Sequence, residues 1–156
     1  MSMAKNGKIR LAVIVTAVIA VLAGGVFALN IPGFSKHEKV KAQNGAVSIP
    51  LAAVADGKAH FYRLADGGKN LDFFLVKASD GSIRTAFDAC DVCFREKKGY
   101  EQQGDMMICK NCNKKFAIVR IGLEEGGCNP APIKARVASG NVVLAIEDLK
   151  AGARFF

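Results

Sequence analysis

Five cysteines, Cys90, Cys93, Cys109, Cys112 and Cys128, are the residues of this 156-residue chain whose type and spacing point to chemistry. The first four fall as Cys-x2-Cys, fifteen intervening residues and a second Cys-x2-Cys. Two residues between ligands let one tight turn aim two sulfurs at a single ion, and a pair of such turns closes a tetrahedron. The spacing therefore predicts a four-thiolate metal centre. It does not choose the metal, because zinc and iron accept four sulfurs on similar geometry. Cys128 lies in Gly126-Gly127-Cys128-Asn129-Pro130, where the glycines permit close backbone approach. It reads as a fifth ligand, a thiol lying just behind the ligands, or a half-buried loop residue.

The residues around the cysteines qualify this. Tight cysteine turns favour glycine just after the second cysteine, where φ is positive; Phe94 and Asn113 stand there instead. Asn tolerates that conformation and Phe does not, so only the second loop is expected to form a standard knuckle. Arg95, Lys97, Lys98, Lys110, Lys114 and Lys115 flank the pairs. They either offset the negative charge of four thiolates, raising the potential of an iron centre, or are simply solvated. Each Cys-x2-Cys could instead be a redox-active disulfide in an exported protein. Thioredoxin-type pairs, however, sit at a helix N-terminus, and no helical pattern follows either pair.

Other candidates carry less. His60 shares a strand face with Tyr62 and Leu64, which predicts a packed core histidine rather than a ligand. Met106 and Met107 are adjacent in a strand and point to opposite faces, so packing accounts for them better than copper binding does. No Ser/His/Asp set, phosphate loop or carboxylate pair supports hydrolysis or phosphoryl transfer.

The elements that must position the cysteines are β-type. From Ala46 onward, short apolar runs alternate with turn signals. Lys58 to Leu64, Leu71 to Ala78 and Ser82 to Phe87 predict a three-stranded meander, turning at Ala65-Asp66-Gly67-Gly68 and Ser79-Asp80-Gly81. Met106 to Ile108, Phe116 to Ile121, Ile133 to Val137 and Val142 to Ile146 predict further strands, with one helical turn at Glu147 to Lys150. The expected fold is mainly β, a small antiparallel sandwich or barrel with the cysteines in loops at strand ends.

Ahead of this domain, Leu11 to Leu29 is uncharged, with Thr16 its only polar residue, and is close to the ~20 residues a membrane-crossing helix needs. An uncleaved transmembrane helix is expected. A signal peptide cut near Val26-Phe27-Ala28 is the competing reading. Of the net charge of +8, most flanks this segment: Lys5, Lys8, Arg10, Lys36, Lys39 and Lys41 stand against Glu38 alone. That position favours a lipid surface over nucleic acid as partner. The cluster before Leu11 places the N-terminus in the cytoplasm and the domain on the exported face. The expected order is a basic N-terminus (1–10), a transmembrane helix (11–29), a polar tether (30–45) and a metal-binding β domain (46–156).

Three stretches carry a resemblance: Thr85 to Cys93, Gly104 to Cys112 and Gly126 to Pro130. Across Gly57 to Ile133 the chain resembles the membrane iron–sulfur, FtrD-like domain family. The resemblance implies an iron or iron–sulfur centre, with zinc as the alternative, handling electrons beside a membrane iron permease or another redox partner. Family members often end longer polytopic chains. With one helix, this chain is not expected to transport iron alone. A structural zinc or metal-carrier domain that recruits a partner is the second reading, and a thiol-disulfide oxidoreductase the third. A more distant similarity is to Rieske domains, which also present two β-loops and a Gly/Pro-rich loop in this order. Both Rieske histidine ligands are missing here, so the similarity implies a shared β scaffold and not the same cluster.

Overall fold

The computed structural model describes residues 35–156. The expected transmembrane helix and the start of the expected tether lie outside the described residues. Among the described residues no helix is long and apolar enough to cross a membrane.

In chain order the strands are β1 (Glu38–Val40), β2 (Ala46–Pro50), β3 (His60–Asp66), β4 (Lys69–Lys77), β5 (Ile83–Phe87), β6 (Tyr100–Gln103), β7 (Met106–Cys109), β8 (Lys115–Ala117), β9 (Arg136–Ala138) and β10 (Asn141–Ala145), followed by the short helix α1 (Ile146–Ala151). They form three sheets, in the orders β1-β3-β4-β5, β2-β10-β9 and β6-β7-β8.

The fold is organised about β4. Its run Leu71-Asp72-Phe73-Phe74-Leu75-Val76 is apolar at nearly every position, as expected of a strand covered on both faces. Because side chains alternate, Leu71, Phe73 and Leu75 enter one core with Val47 and Ile49 of β2, Val142 and Leu144 of β10, and Leu149 of α1. Phe74 and Val76 enter a second core with Tyr100, Met107 and four of the five cysteines. The candidate site is thus built on the back of the central sheet.

Turn chemistry sets the register. Asp66 pairs with Lys69, leaving Gly67 and Gly68 as a two-residue turn with φ of 54° and 78°. Positive φ at both positions gives the hairpin the hand of the strand twist, and glycine takes it without strain. The predicted meander is β3, β4 and β5, with antiparallel pairing throughout.

Several expectations need correction. Residues from Ser35 onward do not act as a tether: β1 pairs parallel with β3, so the sheet is not purely antiparallel and the domain begins before Ala46. Phe116 to Ile121 is strand only as far as Ala117, after which Ile118–Arg120 is a 3-10 turn. The strand expected from Ile133 starts at Arg136. His60 is not packed in the core. It is half-buried at the start of β3, with Nε2 2.7 Å from the Asp56 carboxylate, and takes no part in the cysteine site. Met107 is fully buried while Met106 is only partly so, as opposite faces require.

Candidate metal centre

Three loops supply the sulfurs. The first, Cys90 to Cys93, follows the end of β5, where the strand stops just before the buried Asp88. The Cys93 N–H donates to the Cys90 sulfur at 3.2 Å. Phe94 then opens a 3-10 turn and does not adopt positive φ; that role falls to Lys97, at 51°. The first loop is therefore not a standard knuckle.

The second loop joins β7 to β8 and is one. Asn113 takes φ of 59°, and its N–H donates to the Cys109 carbonyl at 2.8 Å. That turn points the N–H groups of Asn111 and Cys112 at the Cys109 sulfur and the N–H of Lys114 at the Cys112 sulfur. Such donors stabilise a thiolate.

The third loop carries Cys128 and is stitched to the first. Phe87 N–H donates to the Ala131 carbonyl at 2.8 Å, Ala131 N–H to the Ala89 carbonyl at 3.0 Å, and Thr85 Oγ1 to the Ile133 carbonyl at 2.5 Å. The Tyr100 hydroxyl, buried beneath the loop, donates to the Cys128 carbonyl at 2.6 Å.

All five sulfurs are free thiols that converge. Cys90, Cys93 and Cys128 form one group with ligand atoms within 4.8 Å of one another; Cys93, Cys109 and Cys112 form a second. The expected set of four is therefore split: Cys90 groups with Cys93 and Cys128, not with Cys109 and Cys112, and Cys93 is common to both groups. The sulfurs of Cys93 and Cys128 are 3.9 Å apart. Two thiolates on one tetrahedral ion at 2.3 Å are separated by about 3.8 Å, whereas a disulfide requires about 2.05 Å. The sulfurs, the N–H donors and the burial all fit a thiolate-bound metal.

Electrostatics divide the thiols. Burial pushes Cys109 up to about 11 and also raises Cys128. The Lys114 N–H draws the exposed Cys112 down to about 7. Since the thiolate is the ligand form, Cys112 is ready to bind at neutral pH and the buried thiols ionise as metal arrives. Arg95, Lys97, Lys98, Lys110, Lys114 and Lys115 are all exposed, forming a solvated collar.

Sequence reasoning missed a buried ionic clamp beside the cysteines. Asp88 Oδ1 accepts the Tyr100 N–H at 2.7 Å, while Oδ2 lies 2.5 Å from Lys36 Nζ and 2.9 Å from His37 Nε2. Lys36 also donates to the Tyr100 carbonyl at 2.7 Å. Burial lowers the Lys36 pKa, against the opposing pull of Asp88. Next to it, Arg63 makes a two-pronged bond to Asp72, both contacts 2.6 Å. Lys36, Asp72, Asp88, Cys90, Cys93 and Cys109 border one cavity of about 430 Å³. The available signal was an acid, Asp88, embedded in the apolar stretch Ala86 to Ala89. An acid in that setting requires a buried partner.

Fold and site together define a small β domain whose cysteine cluster is suited to holding metal. Residues 54–156 match the family described as membrane iron-sulfur containing protein FtrD-like, and the chain belongs to that family. No curated protein is similar enough to this chain to be matched to it. Among solved structures, the quaternary ammonium Rieske monooxygenase CntA in complex with an inhibitor is similar at 12% identity and a TM-score of 0.44. The match covers 64% of this chain and 30% of that one, so the chain spans under a third of that structure. Lys36 and His37 lie before the family-matched residues.

Proposed function

We propose that this protein is a membrane-anchored iron or iron–sulfur protein whose exported domain passes electrons in support of iron uptake. The observation that carries the reading is the convergence of five thiols from three loops in a domain of a membrane iron–sulfur family. Cys90, Cys93, Cys109, Cys112 and Cys128 would hold the metal, which when bound supplies a one-electron redox couple. The protein's own part is to exclude water and hold the sulfurs in place. Four cysteines are buried among apolar side chains, whereas Cys112 reaches solvent and offers a short path for an electron.

That edge also suits docking. Val92, between the first two cysteines, is 63% exposed, and the exposed Arg95, Lys97 and Lys98 follow it in the chain. An exposed apolar residue followed by cations fits an acidic partner, which we take to be a redox partner or a membrane iron permease. Leu11 to Leu29 serves as the anchor, with the N-terminus in the cytoplasm. Anaerobic redox titration is the test: the visible absorption should bleach on reduction and return on reoxidation. A colourless protein holding zinc would promote the structural reading, to which the knuckle at Cys109 to Cys112 is equally suited.

A further inference from the structure

Five converging sulfurs are one more than a tetrahedral ion accepts. They do not form a single set: each group holds three, and Cys93 belongs to both. Cys90, Cys93, Cys109 and Cys128 are at most 9% exposed and sit in an apolar core, which penalises net charge. The six collar cations relieve little of this, because exposed charges are screened by water and by salt over about 8 Å. Five thiolates around one divalent ion leave a formal charge of about −3, and four with one neutral thiol about −2; a second divalent ion brings five thiolates to about −1.

We propose, resting on the metal-centre reading above, that the domain takes two metal ions per chain. One is held by Cys90, Cys93 and Cys128, the other by Cys93, Cys109 and Cys112, with the Cys93 thiolate shared between them. Three protein sulfurs leave each ion a position for a small exchangeable ligand such as water or inorganic sulfide. The 430 Å³ cavity bordering Cys90, Cys93 and Cys109 gives such a ligand room. Cys128 is on this account a full ligand, and Cys93 is the residue whose loss reaches both ions.

Cobalt(II) serves as the probe. The reduced, metal-free full chain in detergent is titrated anaerobically while sulfur-to-cobalt absorption and the magnetic signal are followed. Absorption should saturate at two equivalents, and the second ion should weaken the magnetic signal per cobalt through the shared sulfur. Cys93→Ser should weaken uptake of both ions at least tenfold, whereas Cys128→Ser should weaken one and leave the other. Saturation at one equivalent, with Cys128→Ser indistinguishable from the parent, overturns the two-ion inference while leaving the metal-centre reading intact. Absence of a sulfur-to-cobalt band at any concentration overturns both. The parent chain's stoichiometry decides the matter even where a variant fails to fold.

Discussion

Asp88 joins three parts of the chain that are distant in sequence: the segment before β1, the first cysteine loop and β6. Gly99 is the other half of this arrangement. A Cβ there would lie 2.5 Å from both Asp88 carboxylate oxygens, and φ of +64° disfavours any side chain. Asp88→Ala strips Lys36 of its partner and leaves the Tyr100 N–H unpaired inside the domain. Losing one member of a buried pair costs about 3–5 kcal/mol, and the partial exposure of Lys36 reduces this to about 2 kcal/mol. Urea denaturation should show that loss, with Asp80→Ala at an exposed turn falling below about 1 kcal/mol. Tyr100→Phe removes the hydroxyl bond to the Cys128 loop and should cost about 1 kcal/mol. Tyr62 sets a pH dependence. Burial, then the nearby Glu38 and Asp56 charges, push its phenol up to about 12. Above pH 10 the unfolded chain loses this proton while the folded chain keeps it, so stability falls as pH rises from 10 to 12. Burial raises the Tyr100 phenol as well, so Tyr62→Phe should reduce the slope in that window without abolishing it; an unchanged slope would assign the loss elsewhere.

At the level of elements, how well each strand could be read from sequence follows from how local its cause is. The meander was legible because β4 is apolar on both faces and Gly67-Gly68 and Asp80-Gly81 mark its turns. The last hairpin was legible from Ser139-Gly140 for the same reason, its two turn residues having φ of 50° and 74°. β1 and β6 were not. Glu-Lys-Val and Tyr-Glu-Gln-Gln are short and largely polar, and become strands only because an edge is waiting for them. Phe116 to Ile121 misled because a short apolar run reads alike as strand or as a buried turn. The two Cys-x2-Cys pairs announced themselves by spacing. The place of Cys128 depends on Ala131 and Ile133 lying against β5, a pairing between distant segments that no local pattern reveals. The β1 segment yields a direct prediction. A chain beginning at Ser35 should keep the stability of the domain, whereas one beginning at Ala46 loses β1, Lys36 and His37 and should melt several degrees lower. Equal melting temperatures by circular dichroism would show that the segment is dispensable.

On the scale of the whole molecule, the central sheet separates two tasks. One face packs β2, β10 and α1 into an ordinary apolar core, and the other supports the loops that gather the sulfurs. Binding energy at such a site is partly folding energy, because the unfolded chain does not hold the thiols together. Chelation should therefore lower the melting temperature, and the loss should disappear in Cys93→Ser, which has no intact sulfur group left to empty. Charge is also partitioned: the basic residues flanking the cysteine pairs are exposed, where solvent screening leaves them little effect on the interior. The most direct test of the central claim is metal analysis, with a visible spectrum, of full-length protein purified without oxygen. The account predicts stoichiometric iron with sulfur-to-iron absorption, both lost in Cys93→Ser. Metal-free protein with its cysteines paired as disulfides would contradict it.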